Sequence, residues 1–136
     1  VTGEIPRSID QGMGEPRLLV QTKNGLQPDP FLDDQALVLE TARGLVLLLG
    51  CCHAGLLNTL EYIRRSFDKP VYAIAGGSHL AKATKQRVRE IAITIREDYG
   101  VQELYLNHCT GQAIQQLAEV LGDKVRPCPA GTVLEF

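Results

Sequence analysis

The apolar run Leu45-Val46-Leu47-Leu48-Leu49, closed by Gly50-Cys51-Cys52-His53-Ala54-Gly55, constrains this chain more than any other stretch. An unbroken apolar run this short, bounded by glycines, reads as a strand buried on both faces. After Ala54 the spacing turns helical. Leu56, Leu60, Ile63 and Phe67 share one face, with Glu61, Arg64 and Arg65 off it. His53 therefore falls in a turn between a buried strand and a helix. In open α/β sheets such turns lie at the carboxyl edge, where ligands bind.

The same punctuation recurs twice. A strand over residues 71–75 stops at Gly76-Gly77 and is followed by Ser78-His79-Leu80. A helix over about 83–99 then places Val88, Ile91, Ala92, Ile95 and Tyr99 on its buried face, with Gly100 as C-cap. A strand over 103–106 leads into Asn107-His108-Cys109-Thr110-Gly111, and a last helix uses Ile114, Leu117, Ala118 and Leu121 before Gly122. A final strand is expected over 132–136. Upstream, strands over 36–40 and 45–49 flank the short turn Thr41-Ala42-Arg43-Gly44, which predicts an antiparallel hairpin. Residues 1–34 are broken by Gly3, Pro6, Gly12, Gly14, Pro16, Gly25, Pro28 and Pro30, and read as largely irregular with one short strand near 18–22. The fold class expected is α/β, a mixed sheet in a single domain spanning 1–136.

With 136 residues, 44% of them hydrophobic and 22% charged, the chain is long and apolar enough for one core. A net charge of −2 gives no electrostatic footprint for nucleic acid or an anionic membrane surface. No apolar run approaches the roughly 20 residues of a membrane span. The four cysteines show no CxxC spacing and read as reduced thiols, which implies a cytoplasmic setting. The opening Val1-Thr2-Gly3-Glu4 has neither an initiating Met nor a signal peptide, and reads as cut from something longer.

The chain has three histidines, His53, His79 and His108, and each follows an expected strand and precedes an expected helix. Parallel β-α-β connections would bring all three turns to one sheet edge, where the imidazoles could share a site. Imidazole suits that position because it ligates metal when neutral and titrates near pH 7. Cys51, Cys52 and Cys109 read as small core fillers rather than ligands. Thr110 reads as the N-cap of the last helix, and Asn58 and Thr59 as early helix residues. Gly76-Gly77 would allow backbone to approach a phosphate.

The blocks Asp33-Asp34-Gln35-Ala36-Leu37, Gly50-Cys51-Cys52-His53-Ala54-Gly55 with Asn58-Thr59-Leu60-Glu61, Gly76-Gly77-Ser78-His79-Leu80 and His108-Cys109-Thr110-Gly111 resemble the C-terminal half of metallo-β-lactamase-fold hydrolases. The branch they resemble is that of dihydropterin-ribofuranosylaminobenzene-phosphate synthase-like proteins, to which Thr2-Gly3-Glu4-Ile5-Pro6-Arg7 is also similar. The resemblance implies half of an αββα sandwich with helices on one face of its sheet. It implies His53 and His108 as metal ligands, His53 standing where most of the superfamily has a bridging Asp. It further implies a catalytic His79, with Gly77, Ser78 and Thr110 near the substrate. The cofactor implied is a divalent metal, zinc first, with manganese or iron as alternatives. The substrate implied is a phosphorylated or pterin-like small molecule.

One part of the family pattern is missing. The signature His-x-His-x-Asp-His of the family's N-terminal half has no counterpart among these residues. The chain is therefore expected to carry only part of the metal site and to be inactive alone. It would need the other half of the fold, on the same or a separate chain, or a second copy of itself. Two alternatives stand beside this reading. One is a non-enzymatic module that docks through an exposed sheet face. The other is a thiol enzyme using Cys51 or Cys52 with His53, which requires a depressed thiol pKa.

Overall fold

The computed structural model describes residues 1–9 and 15–136, so Gly12 and Gly14 lie outside the described residues. Two strands, β1 (Leu19–Thr22) and β2 (Gly25–Pro28), form a separate antiparallel hairpin. The main sheet contains β3 (Ala36–Thr41), β4 (Gly44–Leu49), β5 (Val71–Gly76), β6 (Glu103–Leu106) and β7 (Val125–Pro127), in the order β3-β4-β5-β6-β7. Strand β3 pairs antiparallel with β4, and every later pairing is parallel. The helices α1 (Leu56–Ser66), α2 (Lys85–Thr94) and α3 (Ala113–Leu121) supply the parallel crossovers.

Both hairpins use one local device. In Thr22-Lys23-Asn24-Gly25 and in Thr41-Ala42-Arg43-Gly44 the threonine hydroxyl donates to the glycine carbonyl, at 2.8 Å each. The same hydroxyl oxygen accepts the N–H of Asn24 or Arg43. Both glycines have positive φ, 96° and 131°, as such tight turns demand. Asn24-Gly25 marks this first hairpin, which lies within the stretch expected to be largely irregular.

Strand alternation divides the core into two sides. Leu45, Leu47, Ile74, Leu104 and Leu106 pack with Leu60 and Ile63 of α1, Val88 and Ile91 of α2, and Leu117 of α3. Val46, Ala73, Ala75 and Tyr105 face the other way and meet Cys128, Leu134 and Phe136. Burial on both faces explains why the β4 sequence shows no polar alternation. The sheet edge at β3 is less covered, leaving Leu37 and Leu39 41% and 39% exposed.

Three expectations are corrected. The last strand is β7, over Val125–Pro127 rather than 132–136. Residues 132–136 pair with no strand and instead lie across the free sheet face through Leu134 and Phe136. Their apolar alternation therefore records burial, not strand pairing. The helix expected over 83–99 is α-helical only to Thr94 and widens to a π turn over Ile95–Tyr99, ended by Gly100 at φ 62°. Thr110 does not cap α3, whose N-cap is Gln112.

Glu61 ties α1 to that π turn. Its carboxylate is nearly buried, pairs with Arg64 and Arg65, and accepts the Tyr99 hydroxyl at 3.2 Å. Burial pushes its pKa up, but Tyr99 and the two guanidiniums outweigh that and hold it below the usual carboxylate value. A depressed folded-state pKa gives stability that is full above the unfolded value and is lost as pH falls toward the folded one. Chemical denaturation across the acid range should therefore show Glu61→Gln with a flatter loss of stability than the parent between pH 5 and the acid limit (pH values on the order of the ordinary carboxylate range). A parallel pair of curves would remove Glu61 from the acid sensitivity.

Candidate functional site

Because β4, β5 and β6 run parallel, the turns after Leu49, Gly76 and Leu106 share one edge of the sheet. These turns are locally strained. Among the described residues the non-glycine positions with positive φ are Phe31 (50°), Cys52 (61°) and His79 (53°), and all three lie at this edge. Two hydrogen bonds cross between adjacent turns: Gly77 N–H to Gly50 C=O at 2.9 Å, and Asn107 N–H to Gly76 C=O at 3.0 Å. Gly77 permits this approach because it has no side chain. A Cβ there would lie 2.5 Å from Cys109 Sγ and 2.7 Å from both His108 Cε1 and Gly50 O.

The structure sorts the site residues into two groups. In the first, the His53 ring stacks on Phe31, with centroids 3.9 Å apart and planes within 5°, and meets His79 at 4.1 Å. The Nδ1 atoms of both histidines are buried and have no hydrogen-bond partner among the described residues. Burial first, then the adjacent His53, holds His79 below the ordinary histidine pKa, so its imidazole is neutral near pH 7. A cavity of about 270 Å³ opens beside His53, walled by Phe31, Asp33, Asp34 and Gln35. Asp34 fixes this loop to the turn by accepting the Ala54 N–H at 2.7 Å.

In the second group His108 Nε2 lies 3.2 Å from Cys51 Sγ, while its Nδ1 faces Asn107 Oδ1 at 2.6 Å. Cys109 completes a cluster in which one ligand atom from each residue lies within 4.8 Å of the others. Cys109 Sγ also accepts the His79 N–H at 3.1 Å and donates to Cys51 C=O at 3.3 Å, joining the two groups. The donor set, two thiols and an imidazole beside two bare imidazole nitrogens, fits a borderline-soft divalent metal.

All three predicted histidines thus reach one edge, but His108 meets cysteines while His53 meets His79. Cys52 is the core filler expected of it, being 3% exposed, whereas Cys51 and Cys109 are only half-buried. Ser78 Oγ donates to Thr110 Oγ1 at 2.9 Å, and both residues are buried, so they clip the second turn to the third. The N–H of Gly77 is already given to Gly50. No pattern in the sequence marks Phe31, because its link to His53 is tertiary. Asp34 stands out in the sequence only within the block Asp33-Asp34-Gln35-Ala36-Leu37, with no role of its own. The larger hollow, about 450 Å³, lies by the end of α1 among Phe67, Pro70 and Tyr99 and holds no histidine.

Architecture and site together define an α/β layer carrying a histidine-rich edge. The chain overlays the crystal structure of a metal-dependent hydrolase of the beta-lactamase superfamily with a TM-score of 0.81 and 31% identity, over 92% of this chain and 52% of that one. It is 29% identical over 110 residues to 7,8-dihydropterin-6-methyl-4-(beta-D-ribofuranosyl)-aminobenzene-5'-phosphate synthase of Methanocaldococcus jannaschii, covering 79% of this chain and 37% of that protein. An uncharacterized protein of the same organism is 27% identical over 122 residues, covering 88% of this chain and 43% of its own length. The chain spans about half or less of each of these relatives. No protein-family profile matches it. The resemblance to metallo-β-lactamase-fold hydrolases, on the dihydropterin-ribofuranosylaminobenzene-phosphate synthase-like branch, holds in both sequence and fold.

Two outcomes follow from this geometry. Burial pushes the Cys52 thiol up to about 12, the opposite of what a nucleophile requires. Alkylation followed by peptide mass mapping should modify Cys52 last of the four cysteines; early labelling would revive the thiol-enzyme reading. Thr110→Val removes the acceptor of the buried Ser78 hydroxyl and should cost about 1–3 kcal/mol in urea denaturation. An unchanged midpoint would mean that the clip carries no stability.

Proposed function

We propose that this chain carries part of the active site of a metal-dependent hydrolase or related transferase that acts on a phosphorylated or pterin-like small molecule. The observation that supports it best is the meeting of three histidine turns at one sheet edge, with Nδ1 of His53 and of His79 bare. On this reading His53 and His108 hold a divalent metal, zinc first, with manganese or iron as alternatives. Such an ion lowers the pKa of bound water and polarises a phosphoryl or carbonyl oxygen. His79, half-buried with its Nδ1 bare and its pKa held below the ordinary histidine value, takes up or relays a proton. Gly77, Ser78 and Thr110 shape the substrate-side wall between the two groups of ligands. The cavity beside His53, with a flat aromatic ring on one side, suits a planar ring.

Further ligands would come from the rest of a complete fold or from a second copy of the chain. Leu37 and Leu39, exposed at the edge of the sheet face that the helices leave free, are where such a partner would extend the core. The reduced thiols accord with the cytoplasm as the setting.

The test uses the full-length protein, elemental analysis and hydrolysis of a chromogenic phosphodiester. His53→Ala and His108→Ala should each lower bound metal. His79→Gln should keep the metal and lower kcat by about 10²–10⁴-fold. Hydrolysis that survives exhaustive chelation, or that ignores all three substitutions, would end this reading.

A further inference from the structure

We infer that Cys51, His108 and Cys109 form a thiolate-containing metal site, with Cys51 Sγ, His108 Nε2 and Cys109 Sγ as its ligand atoms. The inference depends on the proposed function only in giving His108 to a metal. It adds two ligands that the histidine reading lacks, and with them a preference for soft cations.

Three independent features support it. The first is spacing. Zinc–sulfur and zinc–nitrogen bonds of about 2.3 and 2.0–2.1 Å set tetrahedral edges of about 3.5 Å between S and N and about 3.8 Å between two S atoms. Cys51 Sγ and His108 Nε2 stand at 3.2 Å, and the full triangle closes within 4.8 Å. Modest side-chain rotation spans the remainder.

The second is the tautomer of His108. Asn107 Oδ1 at 2.6 Å requires the proton on Nδ1 and leaves the Nε2 lone pair turned toward the thiols. An imidazole that donates its far N–H to an oxygen is how ligating histidines are held and made more basic. The third is the treatment of sulfur. The His79 backbone N–H points at Cys109 Sγ at 3.1 Å and holds the sulfur in place beside the other two ligand atoms. Gly77 leaves the room: a methyl there would collide with both Cys109 Sγ and His108 Cε1.

Three protein ligands leave a fourth position, and the exposed flank of His108 opens it to solvent or substrate. The binding step balances simply. Two metal–sulfur bonds form, two S–H bonds break, and up to two protons pass to solvent, with no change of oxidation state. Two thiolates favour zinc or cobalt over manganese or magnesium.

The experiment is a cobalt titration of the reduced, chelator-stripped full-length protein, followed by absorption. A near-ultraviolet thiolate-to-cobalt charge-transfer band is expected at saturation. Cys51→Ser and Cys109→Ser should each cut that band roughly by half per cobalt, since each removes one of two thiolates. Cys52→Ser and Cys128→Ser should leave it intact. Gly77→Ala should weaken cobalt binding by about 10–100-fold, as loss of ligand positioning does elsewhere. If either serine variant fails to fold, X-ray absorption on the parent zinc form decides, with sulfur scatterers at about 2.3 Å expected.

Cobalt bound without the band, a band that survives both serine substitutions, or zinc surrounded by nitrogen and oxygen alone would overturn the site. The two readings fail separately. A thiolate band with no hydrolysis supports this site and counts against the hydrolase. Chelator-sensitive hydrolysis without the band does the reverse.

Discussion

Burial of β4 on both faces is the constraint on which the rest of this structure depends. Leu45 and Leu47 point to the helices, while Val46 points to the side covered by Leu134 and Phe136. A strand buried on both faces needs a hydrogen-bonded neighbour on each edge, since unpaired backbone groups in a dry interior cost several kcal/mol, on the order of the desolvation of an amide. Strand β3 supplies one neighbour through a four-residue turn, and β5 supplies the other through α1. From that pairing the direction of β5 and β6 follows, and with it the arrival of three turns at one edge.

At that edge the backbone comes closer than side chains ordinarily allow. Gly76, at φ 138°, and Gly77 let the second turn press against the first, and a Cβ at Gly76 would lie 2.2 Å from Leu49 O. Residues without that freedom, Cys52 and His79, take left-handed backbone beside them. Such conformations persist where surrounding contacts over-determine them. Here the contacts are the Ser78–Thr110 clip, the Cys109 thiol and the Asp34 carboxylate.

The edge is also electrically distinct. Burial disfavours the charged form of three of its groups: His79 is held down, Cys52 and Cys109 are held up. The opposite situation holds at Glu61, where guanidiniums and a phenol keep a nearly buried carboxylate ionised. The neutral groups gather where a ligand would enter; the paired charge braces α1 against the end of the next helical segment.

The sequence by itself determined the elements that local chemistry controls. Unbroken and helical apolar spacing marked β3 to β6 and all three helices, because each stretch must bury one stripe or two faces whatever its partners. Glycines marked the turns, and the histidines after three strands marked the edge. The resemblance carried by the motif blocks marked the fold. Only the tertiary structure decided which side chains meet there. That Cys51 meets His108 and Cys109, and that Phe31 covers His53, depends on contacts between residues 22 to 58 positions apart. Tertiary packing also moved the last strand to Val125–Pro127 and laid Leu134 and Phe136 over the sheet, since alternation records which side is buried and not which backbone partner is near.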